Sequence, residues 1–434
     1  MKSYNIDFKL FDREFVKAAI IKVCESKRPK YRKPNVKYRI TKRKITVIQT
    51  QRYKLRPGSL RAVAALKYRQ AREILANIEE YTDKTLAIIT EYSAVKTAQR
   101  AAQQSGETFP QEKLERVFKP TKPHLFRLRC DNGKLRDIAS VPLFPDQVLH
   151  QVLISAAQTV FERSFYKYSN GSIPKRGTHK GVRQIKRYIK RHRKSADIKY
   201  CAKADVKKCY PSIPHNQLKA KLQKHFRGWL WLSLMQDIID SYRFRIDESG
   251  QPRGLAIGFY TSQWLCNFYL TPLDYHIKQQ IKTPFYTRYM DDIALFGRSK
   301  SHLHLALRSI IEYMEKLGLT IKPNWQIFRF DYIDKREKRR GRDLDMLGYR
   351  FFRDKTILRK RNALAIRRQA RKIYKDGVIS AKDAKGFLSR IGELKHCDSK
   401  EFYKKNVKPY VKIKKIKEVV RYESRKQLET QRGV

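Results

Sequence analysis

The sequence has no apolar run long enough to span a membrane, no signal-peptide pattern and no lipidation motif. Its six cysteines are scattered without a C-x-x-C pair, which argues against a zinc ribbon and against a disulfide framework. The ten histidines do not cluster into a metal-binding pattern either. We therefore expect a protein of the reducing cytoplasm that does not bind membranes.

Acidic residues are also scarce, with 41 Asp plus Glu against 98 Lys plus Arg, so the formal net charge is +57. Such self-repulsion does not help a chain to fold, and it predicts a polyanionic partner. A membrane surface is the competing polyanion, but the features that would direct the chain to a membrane are missing. A hydrophobic fraction of 41% with 25 Tyr and 21 Phe indicates a folded protein. Nucleic acid is therefore the predicted partner.

The 434 residues are sufficient for two or three domains with substantial cores. We predict a basic, largely helical N-terminal extension at 1–115 that binds RNA, because a long helical pattern begins at Ser59 and a polar linker follows at 103–113. Helical and strand-like segments alternate over 116–353, and a helical, basic region occupies 354–434.

Three basic runs stand out, at 26–44, 179–194 and 334–342. Any one of them is explained by a solvated surface. Together, with Tyr interleaved and in so basic a chain, they favour contacts with phosphates. The candidate nucleic-acid-binding residues in the second run are Lys180, Arg183, Lys186, Arg187, Lys190 and Arg191.

The segment "TRYMDDIALFG" at 287–297 places Asp291 and Asp292 inside an apolar run, where burying an unpaired carboxylate is costly. Neighbouring residues of a straight strand point to opposite faces, so the two acids project together only at the tight turn of a hairpin. The flanks "PFYTRYM" and "IALFG" are both strand-like, which favours a hairpin over 285–296. The alternative is an Asp pair in an ordinary surface turn.

A third acid, Asp205, ends another strand-like run near 197–206, and Tyr210 follows five residues later. Three carboxylates that converge from neighbouring strands would bind two divalent cations, and hard oxygen ligands suit Mg²⁺. Two such ions stabilise the attacking and leaving oxygens of an in-line phosphoryl transfer, as nucleotide polymerisation requires. The segment 253–274 lies between these acids and reads as a loop that enters a core helix, with Gly254 and Gly258 permitting close backbone approach.

The order of these motifs resembles that of reverse transcriptases. Asp205-x4-Tyr210, "GLAIGFYTSQ", "YMDD", "LGLTIKPNWQIF" and "DMLGYRFF" follow one another as that family's successive motifs do. Upstream, "GKLRDIASVPLFPDQVLHQVL" and "FYKYSNGSIPKRGTHKGV" resemble the fingers motifs of bacterial, group-II-intron-like members. The resemblance runs from about 116 to about 420. It implies an α+β right-hand polymerase, with fingers and palm at 116–353, a helical thumb at 354–434 and a mainly helical N-terminal extension.

Ile257-Gly258 and Ser262-Gln263 stand where intron and retroviral enzymes usually carry Gln-Gly and Ser-Pro. This form resembles diversity-generating retroelement enzymes and defence-associated bacterial lineages. No maturase-type tail, HNH or RNase H motif is evident, and the long N-terminal extension favours defence. The implied function is RNA-directed DNA polymerisation, in which a dedicated structured noncoding RNA is copied into cDNA from dNTPs in anti-phage defence.

Two alternatives stay open at this point. One is a diversity-generating retroelement enzyme, and the other is an inactive RNA-binding scaffold. An inactive scaffold has no reason to keep three clustered acids in a chain this basic. Whether an accessory protein or a second copy of the chain takes part is also open.

The resemblance implies roles for individual residues. Asp205 and Asp291 would hold two Mg²⁺ ions, with Mn²⁺ as a substitute, helped by the backbone carbonyl of Val206, and Asp292 would tune their charge. Tyr210 would lie against the sugar of the incoming nucleotide and exclude a 2′-hydroxyl; the alternative is a core aromatic. The remaining candidates for contact with the nucleotide or template are Lys134, Arg136, Gly258, Gln263 and Lys322, each of which could instead be solvated or structural.

Overall fold

The computed structural model describes residues 4–27, 35–40, 45–51, 59–129, 133 and 135–431. Within these residues the helices are α1 (Arg13–Glu25), α2 (Leu60–Ala76), α3 (Ile78–Ser105), α4 (Gln111–Arg116), α5 (Val148–Ser164), α6 (Thr178–Arg191), α7 (Cys209–Ser212), α8 (His215–His225), α9 (Trp229–Asp240), α10 (Tyr260–Gln279), α11 (Lys300–Lys316), α12 (Lys360–Asp376), α13 (Ala381–Glu393), α14 (Lys400–Asn406) and α15 (Ile413–Gln431). None of these helices combines the length and the apolar character that crossing a bilayer requires.

The strands of the described residues form six antiparallel sheets, so the predicted α+β class is confirmed. They are β1 (Asn35–Ile40), β2 (Ile45–Gln51), β3 (His124–Arg129), β4 (Leu135–Ser140), β5 (Tyr200–Asp205), β6 (Arg245–Ile246), β7 (Pro252–Arg253), β8 (Phe285–Tyr289), β9 (Asp292–Gly297), β10 (Gln326–Arg329), β11 (Tyr332–Ile333), β12 (Arg339–Arg340), β13 (Leu344–Met346), β14 (Tyr349–Phe351), β15 (Thr356–Leu358) and β16 (Val378–Ser380).

The largest sheet, which we call the central sheet, has the strand order β10-β5-β9-β8. The predicted strands near 197–206 and 285–296 are confirmed, and the second is a hairpin whose arms are β8 and β9. Alternation along β5 and β9 divides the side chains between two faces. Ala204 and Ile293 join the larger hydrophobic core, whereas Cys201 and Phe296 join the second core.

The larger core lies where α5 packs against α10 and where α10 and α11 contact the central sheet. Phe161 of α5 contacts Trp264 and Phe268 of α10 with ring centroids 6.0 and 5.2 Å apart. The second core joins the other face of the sheet to α6, β13–β15 and the C-terminal helices. The central sheet is therefore fixed on both faces, as a rigid support for residues at its ends requires.

The N-terminal residues contact both of these cores. Asp7 accepts hydrogen bonds from the backbone N–H groups of Leu230 and Trp231 and so caps the start of α9. Strand β1 pairs with β16, and the buried Tyr38 donates a hydrogen bond to Glu423 of α15. The boundaries at 115 and 353 stay a prediction. Of the first basic run, residues 28–34 and 41–44 lie outside the described residues.

Candidate functional site

Asp205, Asp291 and Asp292 lie at one end of the central sheet, which we call the aspartate end. Asp205 is the last residue of β5 and stands opposite Asp292, the first residue of β9. The two side chains therefore project from the same face. Asp291 occupies the turn between β8 and β9, and its carbonyl oxygen accepts a 3.1 Å hydrogen bond from the N–H of Val206. The hairpin thus brings both acids of "YMDD" to Asp205, as the sequence predicts.

The turn depends on an unusual backbone conformation at Met290, whose φ is +54°. Gly171 packs directly against this residue, since a Cβ at Gly171 would lie 2.6 Å from the Met290 backbone nitrogen. The backbone N–H of Asn170 also donates to the carbonyl of Arg288, at 2.9 Å. The segment before α6 therefore contacts the β8–β9 hairpin and supports it from one side.

A buried ion pair also supports the turn between β8 and β9. Arg288 and Asp274 are both fully buried, and their side chains join through two hydrogen bonds of 2.6 and 2.7 Å. Arg288 also donates to the carbonyl oxygen of Met290 at 3.0 Å, and Asn267 accepts from its guanidinium at 3.3 Å. Sequence analysis missed this support. The signal was present, because Arg288 interrupts an apolar strand and Asp274 interrupts an apolar helix.

The pKa values of Asp291 and Asp292 are shifted mainly by burial and, to a smaller degree, by the neighbouring carboxylates. Burial, reinforced by the charge of Asp205, raises the pKa of the Asp291 carboxyl. Burial likewise raises the pKa of Asp292, and the ammonium of Lys203 opposes this rise. Lys322 forms an ion pair with Asp205, and its backbone N–H donates to the Asp205 carbonyl at 2.8 Å. Part of the rise at Asp291 comes from the negative charge of Asp205, and a cation bound between these two carboxylates would relieve that repulsion.

The three acids do not form a ready-made metal cage. Among the described residues, no group of three His, Cys, Asp or Glu side chains is arranged to hold a metal ion. Mg²⁺, however, is usually held by one or two carboxylates, and substrate phosphates and water supply its other ligands. Asp205 and Asp291 offer such a pair of hard oxygen donors in surroundings that favour a cation, so they fit a divalent ion that arrives with its nucleotide.

Two of the predicted nucleotide-binding residues lie near the acids. Tyr210 is half-buried in α7, and its carbonyl oxygen accepts from the N–H of Leu255 at 2.9 Å. Burial raises the pKa of the Tyr210 hydroxyl, and the charges of Asp291 and Arg136 also act on it. Arg136 is exposed on β4, and its charge lowers the pKa of Asp291 as well. Lys134 lies outside the described residues.

Gly258 has a structural reason to be glycine. Its φ is +116°, and a Cβ there would lie 2.2 Å from the carbonyl oxygen of Ala139 on β4. Beside Gly258, the backbone N–H of Ala139 donates a 2.6 Å hydrogen bond to the carbonyl oxygen of Ile257. The loop before α10 is therefore joined to the β3–β4 hairpin that carries Arg136. Gln263 is exposed in the first turns of α10, the helix that follows this loop.

Helix α6 leads away from the aspartate end. At its start the hydroxyls of Thr178 and Tyr289 are 3.4 Å apart, and near its end the ring of Tyr188 stacks on Phe285, the first residue of β8, at 4.3 Å. Its buried side faces the second core. Of the six predicted nucleic-acid-binding residues, Arg183, Arg187, Lys190 and Arg191 are exposed, whereas Lys180 and Lys186 are half-buried. The Lys186 ammonium donates to the carbonyl of His396 at 3.3 Å.

The arrangement is suited to phosphoryl transfer. Two neighbouring acids at the end of a rigid sheet can hold divalent ions, and an aromatic side chain and cations lie beside them for a nucleotide.

Comparison with known proteins agrees with this chemistry. The family model described as reverse transcriptase (RNA-dependent DNA polymerase) matches residues 119–351, more than half of the chain. The chain therefore belongs to the reverse transcriptase family. The matched region contains all three acids as well as Tyr210 and Arg136.

Individual relatives are distant. The group II intron-encoded protein LtrA of Lactococcus lactis subsp. cremoris is 20% identical over 189 residues, which are 40% of this chain and 30% of that protein. The uncharacterized 91 kDa protein in the cob intron of Schizosaccharomyces pombe is 28% identical over 168 residues, covering 37% and 19%. A telomerase structure from Candida albicans matches with a TM-score of 0.38 and 14% identity, over 56% of this chain and 45% of that one. The chain thus spans less than a third of the length of these two curated relatives.

Proposed function

We propose that this protein is an RNA-directed DNA polymerase that adds deoxynucleotides to a primer on an RNA template. The observation that carries the proposal is the placement of Asp205 and Asp291 at one end of a rigid sheet, inside the region that matches the reverse transcriptase family. In this proposal the central sheet belongs to the palm, β3–β4 to the fingers and α12–α15 to the thumb.

Asp205 and Asp291 would hold two Mg²⁺ ions, with Mn²⁺ as a substitute, and the Val206 carbonyl would contribute a further oxygen. When bound, the ions stabilise the attacking and leaving oxygens of the phosphoryl transfer. Lys322 orients the Asp205 carboxylate through its ion pair, and Asp292 adds negative charge beside the two ligands. Arg288 holds the carbonyl of Met290 and thereby fixes the turn that presents Asp291.

Nucleotide recognition is proposed for the residues beside the acids. Arg136, together with Lys134, would bind the triphosphate of the incoming nucleotide, because a guanidinium and an ammonium both pair with phosphate. The Tyr210 ring would lie against the sugar and exclude a 2′-hydroxyl. Gly258 and Gln263 would line the path of the templating base, where Gly258 permits the backbone to approach closely.

Tyr210→Val tests the sugar-selection role. Removing the ring should admit ribonucleotides, and discrimination between dNTPs and rNTPs should fall by about tenfold or more. Steady-state incorporation of each nucleotide measures this ratio. Unchanged discrimination would show that another residue excludes the 2′-hydroxyl.

The template is proposed to be a dedicated structured noncoding RNA, copied in anti-phage defence. Support comes from the charge of +57 and from the three basic runs at 26–44, 179–194 and 334–342, which together offer more phosphate contacts than a short primer–template duplex needs. A diversity-generating retroelement enzyme is the rival. Sequencing the products separates them, because heavy substitution at template adenines would contradict the defence proposal, whereas faithful copies of one RNA would support it.

Primer extension on a generic RNA template tests the proposed activity itself. Asp205→Ala and Asp291→Ala should each abolish extension while RNA binding stays near the wild-type level, because the acids act on metal ions rather than on the RNA backbone. Asp376→Ala, at the exposed end of α12, is the matched control and should leave extension unchanged. Normal extension by Asp291→Ala would overturn the assignment, and wild-type protein that never extends a primer would favour the scaffold alternative.

A further inference from the structure

The opposite end of the central sheet carries a cavity of about 630 Å³ that none of the proposed catalytic steps uses. We call this cavity the distal pocket. It is lined by the segment between α6 and β5, by the end of β10, by the β11–β12 hairpin and by the residues after β14. Asp205 and Tyr200 stand at opposite ends of β5, so the distal pocket and the acids are separated by roughly 17 Å along the strand.

The charge of the distal pocket is strongly positive. Two acids line it, Asp331 and Asp354, and both pair with Arg339 at 2.7 to 2.9 Å. Arg353 is also committed, because its guanidinium donates to the backbone carbonyls of Arg193, Ile198 and Asp331.

Four further cations line the pocket and have no carboxylate partner among the described residues: Arg193, Lys194, Lys199 and Arg329. All except the half-buried Lys199 are exposed. A cluster of unpaired cations is stabilised by an anion with several oxygens, such as phosphate.

Planar side chains lie at and beside the pocket. The Arg329 guanidinium lies 4.6 Å from the ring centre of Tyr332 and 5.4 Å from that of Tyr200. Planar guanidinium groups and aromatic rings are the surfaces on which unpaired bases stack. A duplex buries its base faces and cannot use such a surface, whereas a single strand can.

Two basic surfaces adjoin the pocket. Helix α6 begins beside the β8–β9 hairpin and ends just before Arg193, and its 14 residues span about 21 Å. Its exposed Arg183, Arg187, Lys190 and Arg191 lie along this path. On another side, the turn of the β11–β12 hairpin is held by Asp334, which accepts from the N–H groups of Arg336 and Lys338 at 2.9 Å each.

We propose that the distal pocket binds phosphates of single-stranded RNA that extends from the catalytic site along α6. The inference rests on the proposed function, because the strand is a part of the template beyond the copied duplex. An extended polyanion suits this row of cations better than an isolated phosphate, which would occupy the pocket alone and leave α6 without a ligand.

Binding of two primed RNA templates tests the proposal. Both carry the same primer duplex, and only one has a long single-stranded extension, placed on the 5′ side in one series and on the 3′ side in another. Affinity is measured by filter binding over a range of salt concentrations, without nucleotides, so that the result does not depend on polymerase activity. Lys194→Gln/Lys199→Gln is the test variant. Lys224→Gln/Lys316→Gln, two exposed lysines on α8 and α11, is the matched control.

On the extended template, the test variant should reduce the slope of log affinity against log salt by about 1 to 2, because up to two phosphate contacts are lost. The control variant should match the wild type, and all proteins should bind the short template equally. An unchanged slope on both extended series would overturn the proposal. An equal loss on the short template would also overturn it, since the lysines would then belong to the catalytic cleft.

Discussion

The two ends of the central sheet differ in how they treat charge. At the aspartate end the carboxylates are crowded and largely enclosed, and burial raises the pKa of Asp291 and of Asp292. At the distal end Asp197 pairs with the exposed Arg298, and this hydrogen bond lowers the pKa of Asp197. The aspartate end holds its carboxylates where burial disfavours the ionised form, as functional sites often do. At the distal end the acids are paired with arginines, and several cations are left exposed.

Two arginines, one at each end of the sheet, allow this difference to be tested. Arg288 is fully buried in its pair with Asp274, whereas Arg298 is mostly exposed in its pair with Asp197. Arg288→Met should lower the free energy of unfolding by about 3 to 5 kcal/mol, since it leaves a buried carboxylate without its partner. Primer extension should fall as well, because the Met290 carbonyl loses its donor.

Arg298→Met is the control, and it should change the free energy of unfolding by less than about 1 kcal/mol. Chemical denaturation measures both variants. Equal effects would show that burial does not distinguish the two ends.

The buried His150 is expected to make the stability of the protein fall at acid pH. It is buried in α5 against Phe259, its Nδ1 has no partner in the described part of the chain, and burial lowers its pKa to about 3. The unfolded chain takes up a proton below its ordinary pKa of about 6.5, so stability is full above that value and is lost as the pH falls towards 3.

His150→Leu should remove this acid loss, which amounts to about 3 kcal/mol at about pH 4. Denaturation at neutral and acid pH measures the difference, and His304→Leu, at an exposed position of α11, is the control. An acid loss of the same size in His150→Leu and in the wild type would contradict the assignment.

Gly258→Ala tests the contact between the α10 loop and the β3–β4 hairpin. The added Cβ meets the Ala139 carbonyl, and the positive φ adds strain, so stability should fall by about 2 kcal/mol and nucleotide binding should weaken. Gly250→Ala is the matched control, because Gly250 has a φ of +74° with nothing within 4 Å of the added Cβ. Its loss of about 1 kcal/mol reports the backbone strain alone. Equal losses in the two variants would show that the contact with Ala139 contributes nothing.

The aspartate end could be predicted from sequence because its signals are local. Nearly continuous runs of apolar and aromatic residues mark β8 and β9 as buried strands, and the interruption by Asp291 and Asp292 marks the turn between them. The pairing of Asp205 with Asp292 followed from the expectation that two acid-bearing strands are neighbours, which the sheet order confirms.

Long-range partners could not be predicted in this way. Strand β1 pairs with β16, which is more than 300 residues away in the chain, and no periodicity in either segment specifies the other. The distal pocket combines side chains from several separate segments, so the sequence shows its cations only as runs of charge. Lys322 was predicted to contact nucleotide or template, and its ion pair with Asp205 became visible only in the folded chain.

The central claim is that the Asp291 carboxylate binds a catalytic metal ion, and replacing its oxygen ligand by sulfur tests this most directly. Asp291→Cys should fail to extend a primer with Mg²⁺, because a thiolate is a poor ligand for this hard ion, and should regain activity with a thiophilic ion such as Cd²⁺. Asp291→Ala, assayed with the same ions, should stay inactive with both. Extension by Asp291→Cys at the wild-type rate with Mg²⁺, or equal rescue of Asp291→Ala by Cd²⁺, would contradict the account.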